Sequence, residues 1–105
     1  MITTHVLDTA RGVPGRAIAV ELERAEHGLW HLVGAGITDD DGRLRTLTPA
    51  GPVQPGTYRI RFQTGAYQTG FFPVVEIQFT VDDGAQHYHV PLLISPFGYS
   101  TYRGS

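Results

Sequence analysis

The sequence predicts an all-β fold: an antiparallel β-sandwich of about seven or eight short strands with at most one short helix. Three observations point there. Apolar and polar residues alternate with period two in most of the apolar stretches, which sets one row of side chains against a core and the other in water. Turn residues (Gly, Pro, Asp) separate those stretches at intervals of roughly 8–15 residues. No window of about 10–12 residues keeps a helical period. At 105 residues the chain makes one domain, residues 1–105, with a single modest core. No linker, internal repeat or low-complexity segment divides it.

The elements follow in order. Ile2 to Asp8 (ITTHVLD) alternates as a strand and stops at TARGVPG, where Gly and Pro break it. Arg16 to Arg24 (RAIAVELER) sets Ile18, Val20 and Leu22 on one face and Glu21 and Glu23 on the other. AEHG turns the chain, and Leu29 to Ile37 returns as the hairpin partner. TDDDGR contains Asp41-Gly42, a strong turn signal, and LRTL adds a short strand. The prolines and glycines of TPAGPVQPG exclude regular structure. Thr57 to Thr64 (TYRIRFQT) points Tyr58, Ile60 and Phe62 inward and Arg59 and Arg61 outward. GAYQTG is a loop or a single helical turn. Pro73 to Val81 and His87 to Ser95 are strands, and Gly98 to Arg103 is a last short one.

Composition excludes several classes of function. Apolar residues at 41% and charged residues at 17% describe a globular chain. A formal net charge of -2 leaves no basic stripe for phosphate backbones, so nucleic acid is not an expected partner. With no cysteine there is neither a disulfide frame nor thiolate chemistry. No apolar run reaches the ~20 residues of a membrane span. MITTHVLD lacks the basic-then-apolar pattern of a leader, and the last residues are not a Ser-Lys-Leu type of address. A cytoplasmic location without membrane contact is the expectation.

The chemistry concentrates in histidines. His87 and His89 lie two apart on a strand, so they project to one face about 6–7 Å from each other, while Tyr88 and Val90 face the other side. His5 shares a face of the first strand with Thr3 and Leu7. His27 and His31 flank a hairpin turn and read as solvated. Three explanations compete for His87 and His89. Two half-exposed imidazoles satisfied by neighbours are the plain one. A metal site with His5 as third ligand is the second, although no carboxylate or thiolate stands at a companion spacing. A metal-free acid–base pair is the third, since imidazoles exchange protons near neutrality. Arg43 follows the Asp41-Gly42 turn, where a rigidly held guanidinium makes a good fork for an anionic or imide-like group. Spacing alone does not choose among these.

A resemblance does. HYHVPLLISPFGYSTYRGS, from His87 to Ser105, resembles the C-terminal signature of the transthyretin-like 5-hydroxyisourate hydrolases, which end in Tyr-Arg-Gly-Ser. TTHVLDTARG at Thr3–Gly12, TDDDGR before the Arg, and PGTYRIRFQTGAY follow the family's order along nearly the whole chain. The resemblance implies a prealbumin-type sandwich assembled as a homotetramer, with funnel-like sites at the dimer–dimer interface. It implies no cofactor and no metal. It places catalytic residues at His5, Arg43, His89 and Ser105, and a surrounding site wall at His87, Tyr102, Arg103 and Gly104. The implied partner is one small molecule, 5-hydroxyisourate, opened to 2-oxo-4-hydroxy-4-carboxy-5-ureidoimidazoline in urate breakdown. His5 is expected to activate water and His89 to polarise or protonate, the two roles being interchangeable at this stage. Ser105, as last residue, offers a hydroxyl and a free carboxylate to orient a histidine, which makes an ordered chain end part of the site wall. Two rivals remain: a small-ligand carrier of the transthyretin type, and a hydrolase acting on another cyclic imide or lactam. The sequence also departs from the family after Tyr67, where QTG leads at once to Phe71-Phe72-Pro73 and shortens a loop.

Overall fold

The alternation of the first strand is realised in the computed structural model, which describes residues 1–105. In β1 (Ile2–Asp8) the even positions Ile2, Thr4, Val6 and Asp8 are buried, and His5 and Leu7 are partly open on the other face. Val13–Pro14 forms a two-residue β2 that folds back on β1, a pairing too short to leave a periodic signal in TARGVPG. β3 (Ala19–Glu26) and β4 (Leu29–Ile37) make the expected hairpin. Its turn is the pair His27-Gly28, one residue pair later than AEHG as a whole suggests, and His27 has φ 54°, as a primed two-residue turn requires. β5 is only Arg43–Leu44 rather than the whole of LRTL.

β6 (Gly56–Phe62) buries Tyr58, Ile60 and Phe62. Its outward Arg59 and Arg61 pair with Glu23 at 2.8 Å and Glu76 at 2.9 Å. The single helical turn, α1, covers Thr64–Tyr67. β7 (Val75–Val81), β8 (Tyr88–Ser95) and β9 (Gly98–Thr101) complete the chain, each slightly shorter than the alternation suggested.

Two sheets result. One runs β2-β1-β8-β9 with β5 also on β1; the other runs β4-β3-β6-β7. Seventeen buried apolar residues fill the space between them, Ile2, Val6, Leu22, Ile60, Phe62 and Leu92 being fully enclosed. All pairings are antiparallel except β1 with β8, which run parallel in register from Ile2↔Tyr88 to Asp8↔Ile94. A parallel pair needs a long crossover, and here the whole second sheet is the crossover.

That register positions the functional residues. Thr3 stands opposite His89 on β8, and His5 stands opposite Arg43 on β5. All these positions fall on the outer face of the first sheet, because their even neighbours Thr4, Leu44 and Val90 point into the core. The shortened segment after Tyr67 lies at the other end of β1. There the Tyr67 hydroxyl donates to Asp8 at 2.8 Å, and Phe71 N–H donates to Pro96 at 2.7 Å. Five residues of strand, roughly 17 Å, separate Asp8 from Thr3.

Candidate active site

The Asp39–Arg43 turn is built before it is charged. The Asp39 carboxylate accepts the N–H of Asp41 and of Arg43, each at 2.9 Å. The backbone closes the same loop, Gly42 donating to Asp39 and Asp39 to Arg43. The Arg43 N–H, with smaller help from Asp41 and from the Arg45 and Arg43 charges, outweighs desolvation and holds the Asp39 carboxyl below its usual range. Gly42 has φ +75°, and a Cβ there would meet the Val6 carbonyl oxygen at 2.4 Å. Only glycine fits this corner. The turn thus delivers Arg43 onto the outer face beside His5.

His5 is fixed from the same loop. Its Nε2 lies 3.1 Å from the Asp41 carbonyl oxygen. A carbonyl only accepts, so Nε2 carries the proton and Nδ1 keeps the free lone pair. Burial first, then the Arg43 charge, lowers the His5 pKa below its usual 6.5.

His89 is held from two sides. Its Nδ1 lies 2.8 Å from Thr3 Oγ1, and the same oxygen lies 2.7 Å from His87 Nε2. Gly104 N–H donates to the His89 carbonyl at 2.8 Å, a bridge that returns residues 104–105 alongside β8. Burial, then Arg43, His5 and His87, lowers its pKa as well. Both imidazoles are therefore neutral at neutral pH, the form able to accept a proton.

A polar cleft of about 150 Å³ opens here, and its lining includes Thr3, Arg43, Arg45, His87, His89 and Ser105. Of the residues expected from sequence, Arg43, His87, His89 and Ser105 line this cleft. His5 is not in its lining but stands opposite Arg43 on β5, and Gly104 is held against His89 by the backbone bond. Tyr102 and Arg103 lie elsewhere. Their side chains line a separate groove of about 300 Å³ beside Ile77, Phe79 and Tyr88. There Arg103 lies 4.5 Å over the Tyr88 ring and donates to Gln86 at 2.8 Å. Tyr102 and Arg103 both face that groove, and only Ser105 reaches the polar cleft. His27 and His31 are exposed and remote from the cleft.

Thr3 is the contributor that sequence reading left out of the site. Its place on the His5 face was the available signal, since residues two apart on a strand share a surface. No group of three or more His, Cys, Asp or Glu is arranged to hold a metal ion; instead a hydroxyl sits between His87 and His89. Residues 64–74 contribute nothing to the cleft lining. The only helix has four residues, and none is long and apolar enough to cross a membrane.

Comparison with known proteins points to one family. The 5-hydroxyisourate hydrolase of Salmonella dublin is 41% identical over 110 residues, covering 100% of this chain and 81% of that protein. The 5-hydroxyisourate hydrolase of Klebsiella pneumoniae superposes with a TM-score of 0.85 at 33% identity, covering 99% of this chain and 98% of the other. Sea bream transthyretin, solved in complex with thyroxine, superposes with a TM-score of 0.90 at 31% identity, covering 98% and 93%. The HIUase/Transthyretin family profile matches residues 2–104. The family profile and the similarity over the whole chain agree, and the chain belongs to the HIUase/Transthyretin family.

Proposed function

We propose that this chain hydrolyses 5-hydroxyisourate, opening its lactam ring to 2-oxo-4-hydroxy-4-carboxy-5-ureidoimidazoline, with His5, Arg43, His89 and Ser105 as the working groups. The observation that carries the reading is geometric: Arg43, His87, His89 and Ser105 line one polar cleft, and His5 stands opposite Arg43 across the β1–β5 pairing. Relatives named for this activity, at 41–42% identity, support the same assignment.

Ring opening needs a proton taken from water, charge stabilised on the carbonyl oxygen, and a proton delivered to the departing nitrogen. His5 Nδ1, left free by the Asp41 bond, takes the first. Arg43 binds the carbonyl and imide oxygens and stabilises the oxyanion as it forms. His89, whose Nδ1 faces Thr3, presents Nε2 to the substrate and supplies the second proton. Ser105, on the cleft wall, orients the ring. Tyr102, Arg103, His87 and Gly104 belong to the surroundings, the first two acting across a subunit contact. Assembly as a homotetramer, with the cleft at a dimer–dimer interface, completes the reading. Sheet edges are available for it: β4 and β7 in one sheet and β9 in the other each pair on one side only.

The test is the ultraviolet decay of freshly generated 5-hydroxyisourate with and without the protein. Acceleration is expected, and it persists in a chelator because no step uses a metal. Arg43→Ala and His89→Ala each lower kcat/KM by a factor on the order of 10² while the far-ultraviolet circular dichroism is retained. Saturable binding with an unchanged decay rate overturns the hydrolase reading in favour of a carrier.

A further inference from the structure

Thr3 Oγ1 lies 2.7 Å from His87 Nε2 and 2.8 Å from His89 Nδ1, an arrangement with a strict proton inventory. A hydroxyl has one proton to give and can accept on its lone pairs. When it donates to His89 Nδ1, it accepts from His87 Nε2–H, and His89 carries its proton on Nε2. When it donates to His87, it accepts from His89 Nδ1–H, and His89 Nε2 is bare. The tautomer of the inner imidazole is thus tied to whether the outer one carries a proton on Nε2. Thr3 is 3% exposed, so water does not compete for its hydroxyl, whereas His87 stands open to solvent.

We propose that His87, Thr3 and His89 form a proton relay, in which Thr3 is the positioning residue that lets His89 act as an acid while remaining neutral. The proposal rests on the hydrolase reading for its catalytic consequence but not for its existence. The step balances as follows. His87 starts protonated on both nitrogens and His89 on Nε2 alone. As the His89 Nε2–H bond breaks toward the departing ring nitrogen, the Thr3 O–H bond breaks and its proton forms Nδ1–H on His89. The His87 Nε2–H bond breaks and its proton re-forms the Thr3 hydroxyl. One proton has left His87 and one has reached the leaving group; no ring passes through a doubly deprotonated state. Uptake of a proton from water at His89 Nε2 drives the reverse shift and restores the start. Without the relay a neutral His89 that gave up its Nε2 proton would become an imidazolate, which is far too basic to form at neutral pH.

The groups facing His89 are Arg43, His5 and His87, with Arg45 also on the cleft wall. All are cationic or become so, and they tune when His89 takes a second proton. They do not choose which nitrogen carries the first, a choice left to Thr3.

Nitrogen-15 spectra of the imidazoles in the substrate-free protein test this directly, independently of any activity. In wild type, the His89 proton is on Nε2 wherever His87 Nε2 carries a proton and on Nδ1 wherever His87 Nε2 is bare. In Thr3→Val the two rings are uncoupled, and the His89 tautomer no longer follows the proton on His87 Nε2. Kinetically, Thr3→Val loses on the order of 10- to 100-fold in kcat with KM changed less than about twofold, and Thr3→Ser restores most of it. His87→Gln, an exposed replacement that preserves folding if Thr3→Val does not, keeps a hydrogen bond to Thr3 but passes no proton. It lowers kcat, and added imidazole buffer recovers the rate. A His89 tautomer that ignores His87 in wild type overturns the relay, whatever the protein hydrolyses. A Thr3→Val kcat within about twofold of wild type, with hydrolysis intact, overturns its catalytic role alone.

Discussion

Arg43 discourages protonation of His5 and His89, and in the proposed mechanism the same charge holds substrate oxygens. In each ring burial is the larger cause and Arg43 the next. Removing the guanidinium in Arg43→Ala leaves the burial contribution and deletes the second, so both histidines are expected to protonate at higher pH than in wild type. Proton NMR titration of the imidazole ring protons measures this; an unchanged pair of titrations would detach Arg43 from the site. The same shifts reach stability. A folded-state pKa below the unfolded 6.5 means that the unfolded chain binds more protons in the interval between the two values. Stability is therefore fully present above 6.5 and declines as pH falls through the depressed folded values. Urea midpoints measured at about pH 7 and about pH 5 should show that loss, and Arg43→Ala should make it smaller.

The turn before β5 and the strand-like return of Gly104 are the elements that convert register into a site. Asp39 accepts two N–H groups of the turn, and its exposed carboxylate touches no substrate in the proposed mechanism. Asp39→Ala is expected to lower kcat/KM by about an order of magnitude through a wandering Arg43, with the fold preserved. Gly104 constrains the other side, since a Cβ there would sit 2.7 Å from His89 Cδ2. Gly104→Ala must tilt the ring, and the steady-state rate should fall with it; full activity in either variant would show that the positioning is redundant. Much of this framework is legible in the sequence, because burial on one face imposes a local alternation: Ile18, Val20, Leu22 and Tyr58, Ile60, Phe62 were all placed inward correctly. What is not legible is partnership. The Thr3–His89 bond spans 86 positions, and no local pattern distinguishes a parallel neighbour from an antiparallel one. Val13–Pro14 is too short to have a period. The motif resemblance gave His5, Arg43 and His89 without their geometry, and it did not give Thr3, whose role exists only once β1 lies beside β8.

At the scale of the molecule, the cleft lies on an outer sheet face, where bulk water would screen the Arg43 and imidazole charges that the reaction needs. A second copy laid across that face removes the water, which is the physical case for a homotetramer. The edges of the sandwich support assembly too. The groove lined by Ile77, Phe79, Tyr88 and Val90 runs between edge strand β7 and the β8–β9 pair, and Tyr102 beside it is 60% exposed. Unpaired edges with apolar borders favour association unless charge blocks them. Sedimentation at micromolar concentration should therefore return a mass about four times the 11.5 kDa chain. Thr80→Lys sets a charge on the exposed β7 border of the groove, in the sheet that does not carry His5 and His89. It should shift the sedimenting species to smaller mass and lower kcat/KM in parallel, while circular dichroism shows the sheets intact. If the variant sediments as a single chain yet hydrolyses at the wild-type rate, one subunit holds a complete site. The rate would then owe nothing to burial between subunits, and Tyr102 and Arg103 would have no part in it.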